Sequence, residues 1–435
     1  MDMSMAGLPD DVWMIIIRIA NKYCRVTHRL LRISKHMNKL VYACMQVFVA
    51  RKYVSDEIIA KMINMNRVIM RRPNNAALFK LVQLQRMHLQ LAGDVNVDLS
   101  VLRLTRLTIS GCGIITGIPL TLHTLCMYRN HTMVDLREYT RLTDLDIGMS
   151  ANVQGMGTMT QLQRLCGDKP ACKQILNHDI TAMTRLHTLE VQYMLLADLP
   201  MSLISLNAWA CGSVSLGGLR SLQKLTVTST LISSLFPMSL TKLHTSSAWE
   251  SPSIRELTNL RGLAASSHIP INDILSLTQL ESLSLSAGVY QIDSIGTLTR
   301  LRDLVIGNIP SGCIDSIVLL PCLRSLSLNL HCKMNDQQLQ RLTALTRLSV
   351  RDACITHESI SMLTALTRLT IPTDMDMHDF TMLTQLKKIT VIGKMSFPKL
   401  VRLPLSIELF TSFGCSIPMC LDKSREFVTL RKPHK

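Results

Sequence analysis

Leu363-Thr364-Ala365-Leu366-Thr367-Arg368-Leu369-Thr370-Ile371 decides the fold, because the chain keeps returning to it. The pattern stands again at Leu298-Thr299-Arg300-Leu301-Arg302-Asp303-Leu304-Val305-Ile306 and at Leu342-Thr343-Ala344-Leu345-Thr346-Arg347-Leu348-Ser349-Val350. Looser copies recur about every 20 residues from near Leu84 to near Ile407. A unit this short cannot bury its own apolar face, so the copies must stack and share one core. Alternation within Leu-x-x-Leu-x-Leu predicts a short strand in each copy, and stacking in register predicts a parallel sheet. Such a solenoid offers a long surface and no obvious catalytic cleft, so binding is the function class it favours.

Composition fits that architecture. Hydrophobic residues make up 47% of the chain and aromatics only 4%, so Leu, Ile, Val and Met must fill the core. The 26 methionines read as gap-filling core residues. No stretch reads as a membrane span; the apolar run from Val12 to Ile17 is short and closes with Arg18. Asp2, Asp10 and Asp11 oppose a signal peptide. The 13 cysteines are odd in number and contain no Cys-x-x-Cys pair, which predicts reduced thiols in a cytosolic or nuclear setting.

Charge is uneven along the chain. Of the total of +16, residues 1–86 hold 15 Lys and Arg against 5 Asp and Glu, and residues 412–435 hold 5 against 2. The basicity therefore belongs mainly to the first segment and predicts an acidic partner for it.

Residues 1–80 lack the repeat and divide into stretches with helical spacing: Asp11 to Ala20, Thr27 to Ile33, Ser34 to Phe48 and Ser55 to Met70. Arg71-Arg72-Pro73-Asn74-Asn75 is a break. Three domains follow: a helical module over 1–80, repeats over 81–411, and a C-terminal cap with a basic tail over 412–435. Two kinds of repeat are visible. One opens Leu-Thr-x-Leu; the other carries Pro and Ser, as in Leu199-Pro200-Met201-Ser202-Leu203, Phe236-Pro237-Met238-Ser239-Leu240 and Leu403-Pro404-Leu405-Ser406-Ile407. Pro before the strand predicts an extended crossing of the far side. Longer repeats after about residue 300 carry helix-like segments such as Asp336-Gln337-Gln338-Leu339-Gln340.

These motifs resemble the leucine-rich repeat superfamily over roughly three quarters of the chain. The resemblance implies an α/β horseshoe whose concave face is a parallel sheet, preceded here by a small helical module. One departure is plain: where family units place a laddering Asn after the strand, this chain has Cys112, Asn130, Ser150, Cys211 and Thr230, but also Ala248, Ile309 and Lys394.

Leu8-Pro9-Asp10-Asp11-Val12, followed about 25 residues on by Ile33-Ser34-Lys35-His36-Met37-Asn38-Lys39-Leu40-Val41, resembles an F-box. That resemblance implies docking on a Skp-type adaptor of a cullin ubiquitin ligase through Leu8, Pro9, Val12, Ile16, Leu31, Ser34, Lys35 and Leu40, with the repeats selecting a protein substrate. Without it, residues 1–80 are a helical cap with a basic surface, or a basic nucleic-acid-binding arm.

Residues between the core leucines point to the concave face by the two-residue period of a strand. Early repeats present Asp144, Asp146, Asp168 and Glu190 with Tyr128, Tyr193 and Trp209. Middle repeats present small hydroxyl residues, from Thr226 to Ser286. Late repeats present Arg347, Arg351, Arg368, Lys387 and Lys388. A face with aromatic anchors among acids at one end and cations at the other is the expected partner surface. No catalytic constellation, metal or cofactor is expected. Gly111-Cys112-Gly113-Ile114-Ile115-Thr116-Gly117 lacks dinucleotide spacing and reads as a turn, and Asp374-Met375-Asp376-Met377-His378-Asp379 matches no metal loop.

Overall fold

A computed structural model describes strands at 47–50 and 67–70, most of residues 84–413, and strands at 420–422 and 428–431. Segments 168–176, 247–253 and 393–401, several shorter loops and all other residues lie outside that description. The chain divides into two compact units, Met1–Ser215 and Leu216–Lys435.

In the first unit nine described strands pair in parallel, each with the next: Val47–Ala50, Arg67–Met70, Arg86–Leu91, Arg106–Gly111, Thr124–Tyr128, Asp144–Ile147, Arg164–Gly167, Thr188–Gln192 and Ser205–Trp209. In the second unit ten do the same: Lys224–Thr228, Lys242–Thr245, Gly262–Ala265, Ser282–Val289, Asp303–Asn308, Ser325–Leu328, Arg347–Val350, Arg368–Pro372, Lys388–Ile392 and Leu409–Phe413. The register aligns equivalent repeat positions throughout, as in Leu326 against Leu348 and Leu348 against Leu369.

The first two strands correct an expectation. Phe48 and Arg67–Met70 fall in stretches whose spacing predicted helices, yet both segments are strands in register with Arg86–Leu91. Short apolar runs such as Arg67-Val68-Ile69-Met70 satisfy both periods, and pairing with a neighbouring strand decides between them. The rest of residues 1–46, including every residue matched to the F-box pattern, lies outside the described residues.

Each repeat sends its leucines inward. The second strand residue is buried in copy after copy: Leu107, Leu125, Leu145, Leu165, Leu189 and Leu206 in the first unit, and Leu225 to Leu369 in the second. Each such burial is worth about 2 kcal/mol. Hydroxyls tie the layers together. The Thr just before the strand bonds its hydroxyl to a carbonyl one repeat back, as Thr105 does to Gln85 at 3.1 Å, Thr346 to Arg324 at 3.1 Å and Thr367 to Thr346 at 2.9 Å. In the Pro-containing repeats the Ser takes an equivalent role, Ser202 donating to Leu186 O at 2.8 Å and Ser239 to Leu222 O at 2.7 Å. The Pro carbonyl closes a turn, accepting from Leu203 N at 3.1 Å and from Leu240 N at 3.1 Å. Cys211 stands where the family ladder has Asn; it is buried, and its thiol sits 4.0 Å from Val191 O and 3.6 Å from Trp209 O.

The far side of the repeats varies. In the first unit short parallel pairs line it, such as Asn96–Asp98 with Ile114–Thr116 and Met133–Asp135 with Asn152–Gln154. The segment from Gly111 to Gly117 is thus a turn entering a strand, with left-handed φ values of 104° and 60° at its two ends. In the second unit, after the two-residue strand Leu231–Ile232, short helices take this side: Ile271–Leu275, Ile314–Ile317, Asp336–Gln340 and His357–Ser361. Asp336–Gln340 is helical as its sequence predicts, capped by Asn335, which accepts from Gln338 N while Gln338 accepts from Asn335 N. Helices on this side begin earlier than residue 300, since Asn177–Ala182 and Ile271–Leu275 are already helical. At the C-terminal end the pairing turns antiparallel, with Val428–Arg431 between Arg402–Leu403 and Cys420–Asp422.

Candidate functional site: the open face of the sheet

Two rows of side chains on the first unit build its candidate surface. In the middle of the strands, register aligns Cys126, Asp146, Cys166, Glu190 and Asn207 across five neighbours. Two residues earlier on each strand stand Thr124, Asp144, Arg164, Thr188 and Ser205. The structure places Tyr128, Asp144, Asp146 and Glu190 on neighbouring strands, with Tyr128 bonded to Asp146. Asp168 lies outside the described residues.

Arg164 organises this cluster. One guanidinium nitrogen lies 3.2 Å from Asp144 Oδ1 on the preceding strand, and another lies 2.9 Å from Glu190 Oε1 on the following strand. Burial works against its charge, but these two carboxylates more than offset it and leave the guanidinium pKa raised. The Tyr128 hydroxyl donates to Asp146 Oδ2 at 2.5 Å. Burial first, and then Asp146, hold that hydroxyl protonated far above its ordinary range. The Cys126 thiol is likewise pushed up, by burial and then by Asp146 and Asp144, which keeps it protonated and poorly nucleophilic at neutral pH. Cys166 Sγ sits 3.9 Å from Glu190 Oε2. Arg164 is shared by Asp144 and Glu190 while Asp146 meets Tyr128, so three carboxylates stand against one guanidinium on these five strands and leave them net negative.

Sequence reasoning passed over Arg164 and the two cysteines. They occupy the same two strand positions as the acids, so reading every residue at those positions would have found them. Asn207, beside Glu190, holds its Oδ1 buried with no hydrogen-bond partner among the described residues.

Tyr193 and Trp209 lie together at the ends of adjacent strands. Gln192 pairs with Trp209 in register, and Tyr193 N donates to Trp209 O at 2.9 Å. Both are well exposed, at 53% and 43%. Tyr193 adopts a left-handed conformation, φ 58°, which turns it out of the strand direction.

On the second unit, register sets Arg347 opposite Arg368 and Arg368 opposite Lys388. Arg347 pairs with Asp303, two strands away. Lys387 reaches Glu408 at 3.7 Å with both side chains exposed. Arg351 is exposed just beyond the strand Arg347–Val350. Among the described residues no group of three or more His, Cys, Asp or Glu is placed to hold a metal ion, and no helix is long and apolar enough to cross a membrane. The described cysteines Cys112, Cys126, Cys166, Cys211 and Cys322 are free thiols.

The stacked parallel strands, their inward leucines and the hydroxyl ladder define the architecture. The fold is a leucine-rich-repeat solenoid. No protein-family profile matches the chain, and no curated protein matches it in sequence. Solved structures of similar fold include a leucine-rich-repeat protein of Leptospira interrogans (17% identity, TM-score 0.41, covering 78% of this chain and 87% of that one). Another is an internalin, InlF, of Listeria monocytogenes (18% identity, TM-score 0.40, covering 89% and 98%). A third is the ectodomain of the Arabidopsis receptor kinase HAESA in complex with a peptide hormone (13% identity, TM-score 0.40, covering 82% and 77%). At these identities the likeness concerns the repeat fold alone.

Proposed function

We propose that the chain is a protein-binding scaffold whose open sheet face carries the recognition residues. The observation that supports it most directly is the placement of Tyr193 and Trp209, two large aromatics left exposed side by side next to a net acidic patch. Exposed Trp and Tyr are the residue types that dominate interface energies. Arg164, Asp144 and Glu190 fix the surface beside them, so a partner meets a preordered face. Asp168 belongs to the same proposed face by its repeat position, and Arg347, Arg351, Arg368 and Lys388 form its cationic counterpart on the second unit. Replacing Tyr193 and Trp209 together by Ala tests the anchor role. A partner isolated with the intact chain should lose at least about tenfold in affinity; binding within a factor of about two would rule the anchors out.

The finer proposal is that the chain recruits its partner to a cullin-type ubiquitin ligase. Support for it is the Leu8-Pro9 start and the Ser34-Lys35 pair with Leu40, in the order an F-box has them, ahead of a repeat array. Leu8, Pro9, Val12, Ile16, Leu31, Ser34, Lys35 and Leu40 would touch the Skp-type adaptor. Intact chain mixed with purified adaptor should elute as one complex, and a Leu8→Ala, Pro9→Ala variant should not. Separate elution of the intact chain would leave the scaffold without its ligase link.

A further inference from the structure

The second unit's sheet face carries a charge arrangement that the fold does not need. Arg347, Arg368 and Lys388 occupy the same strand position in three consecutive strands and stand directly opposite one another. Neighbouring strands lie about 4.8 Å apart, and like charges placed opposite each other on a sheet destabilise it. Asp303 offsets only the first of the three. Among the described residues no carboxylate pairs with Arg368 or Lys388, nor with the exposed Arg302, Arg324 and Arg351 around them. The next row on the same face consists of hydroxyls: Ser327, Ser349 and Thr370 align across three strands, and Thr390 continues the row but is buried. Cations flanked by hydroxyl donors form a surface that hydrogen-bonds carboxylates and gains from neutralisation.

We infer that this face docks an acidic, extended segment of a partner protein, lying across the strands with its carboxylates against Arg347, Arg368 and Lys388. The inference deepens the scaffold proposal and rests on it. A protein segment is favoured over single-stranded nucleic acid by what the face lacks. Nucleic-acid grooves combine cations with aromatic platforms for the bases. Here Val305, Ser327, Ser349 and Thr370 stand beside the cations, and register sets a single aromatic, Phe413, opposite Ile392 in the last of the described parallel strands, which offers no run of platforms for successive bases.

Fluorescence anisotropy of the full chain decides the matter, with three labelled probes: a short peptide alternating Glu and Ser, its Gln-Ser counterpart, and a single-stranded oligoribonucleotide of equal length. The Glu peptide should bind, the Gln peptide should not, and binding should weaken as salt rises. Arg368→Gln with Lys388→Gln should weaken the Glu peptide about tenfold. A control exists in the same row: Lys224 and Lys242 also stand opposite each other, with the neighbouring Arg261 paired to Glu281, and replacing both by Gln removes the same charge. That control should leave binding within a factor of about two. Equal loss in both double variants would reduce the effect to net charge and overturn the site, as would no loss in either. Tighter binding of the oligoribonucleotide than of the Glu peptide would overturn the choice of partner. If a partner still needs Tyr193 and Trp209 while ignoring Arg368 and Lys388, the inference falls and the scaffold proposal stands.

Discussion

Gly111→Ala is expected to break the stack at one seam. Gly111 ends its strand at φ +104°, opposite Leu91 in the sheet register. A Cβ there would lie 1.8 Å from Leu91 O and 2.8 Å from Leu91 C, both backbone atoms of the preceding repeat. The left-handed conformation alone costs a side chain about 1–2 kcal/mol, and the lost flexibility of the unfolded chain returns about 0.4–1 kcal/mol of it. Most of the damage comes from the clash. Relieving it parts two backbones by more than an ångström and costs one or two ladder hydrogen bonds, each about 1 kcal/mol. The total is at least about 3 kcal/mol. A control separates the two causes. Arg129, Tyr193 and Ala210 occupy the same repeat position with φ of 53°, 58° and 49°, so the turn itself admits side chains. Ala210→Gly should therefore change stability by no more than about 1 kcal/mol, in the favourable direction. Solenoids unfold by repeats and interfaces, so the readout is hydrogen exchange of peptides covering 86–128, alongside urea unfolding by circular dichroism. Unchanged exchange around Leu91 and Gly111 in the Ala variant would refute the close approach on which the estimate depends.

Three further outcomes follow from particular contacts. Asp273 is nearly buried in the first turn of Ile271–Leu275 and accepts from Arg255 Nε at 2.5 Å; Arg255→Ala strands that carboxylate and should cost about 2 kcal/mol by urea titration, with Arg255→Lys recovering part of it. Asp336 accepts from Thr356 N at 2.8 Å and Thr356 Oγ1 at 3.0 Å; burial opposes its charge, but these bonds win and hold its pKa below the ordinary 3.8. Its folded-state pKa is depressed, so its contribution is complete above the unfolded value and drains away as pH falls below about 3.8; stability measured down through that range should fall less steeply in Asp336→Asn. Ser239→Ala removes the bond to Leu222 O and should cost about 1 kcal/mol, whereas Met238→Ala, next to it and 52% exposed, should leave the unfolding midpoint unchanged.

Much of the solenoid was legible because its leucines are a local signal: each strand announces itself within nine residues, and stacking does the rest. The strands Val47–Ala50 and Arg67–Met70 were not legible for the same reason. They lack the Leu-x-x-Leu-x-Leu frame, and only the sheet they join distinguishes them from helix. The left-handed turn after the strand is hidden too, since Arg129, Tyr193 and Ala210 hold it without the glycine that would mark it.

The candidate surface was legible position by position but not pair by pair. Strand alternation puts Tyr128, Asp144, Asp146 and Glu190 on one face, yet treats their charges as independent. In a stacked sheet the nearest neighbour of a side chain lies one repeat away in sequence, and long side chains reach further. Arg164 spans from Asp144, 20 residues before it, to Glu190, 26 residues after it. Arg347 skips a whole repeat to meet Asp303, 44 residues away. Repeat lengths vary, so no fixed offset predicts such partners; aligning the leucines first does, because the register then names the neighbours of every outward residue. Applied to the cations, that alignment separates Arg347, whose charge Asp303 answers, from Arg368 and Lys388, whose charges no carboxylate answers among the described residues. An excess of unanswered charge in adjacent strands is a cost to the fold, and a surface that bears such a cost is where a partner of opposite charge has most to offer.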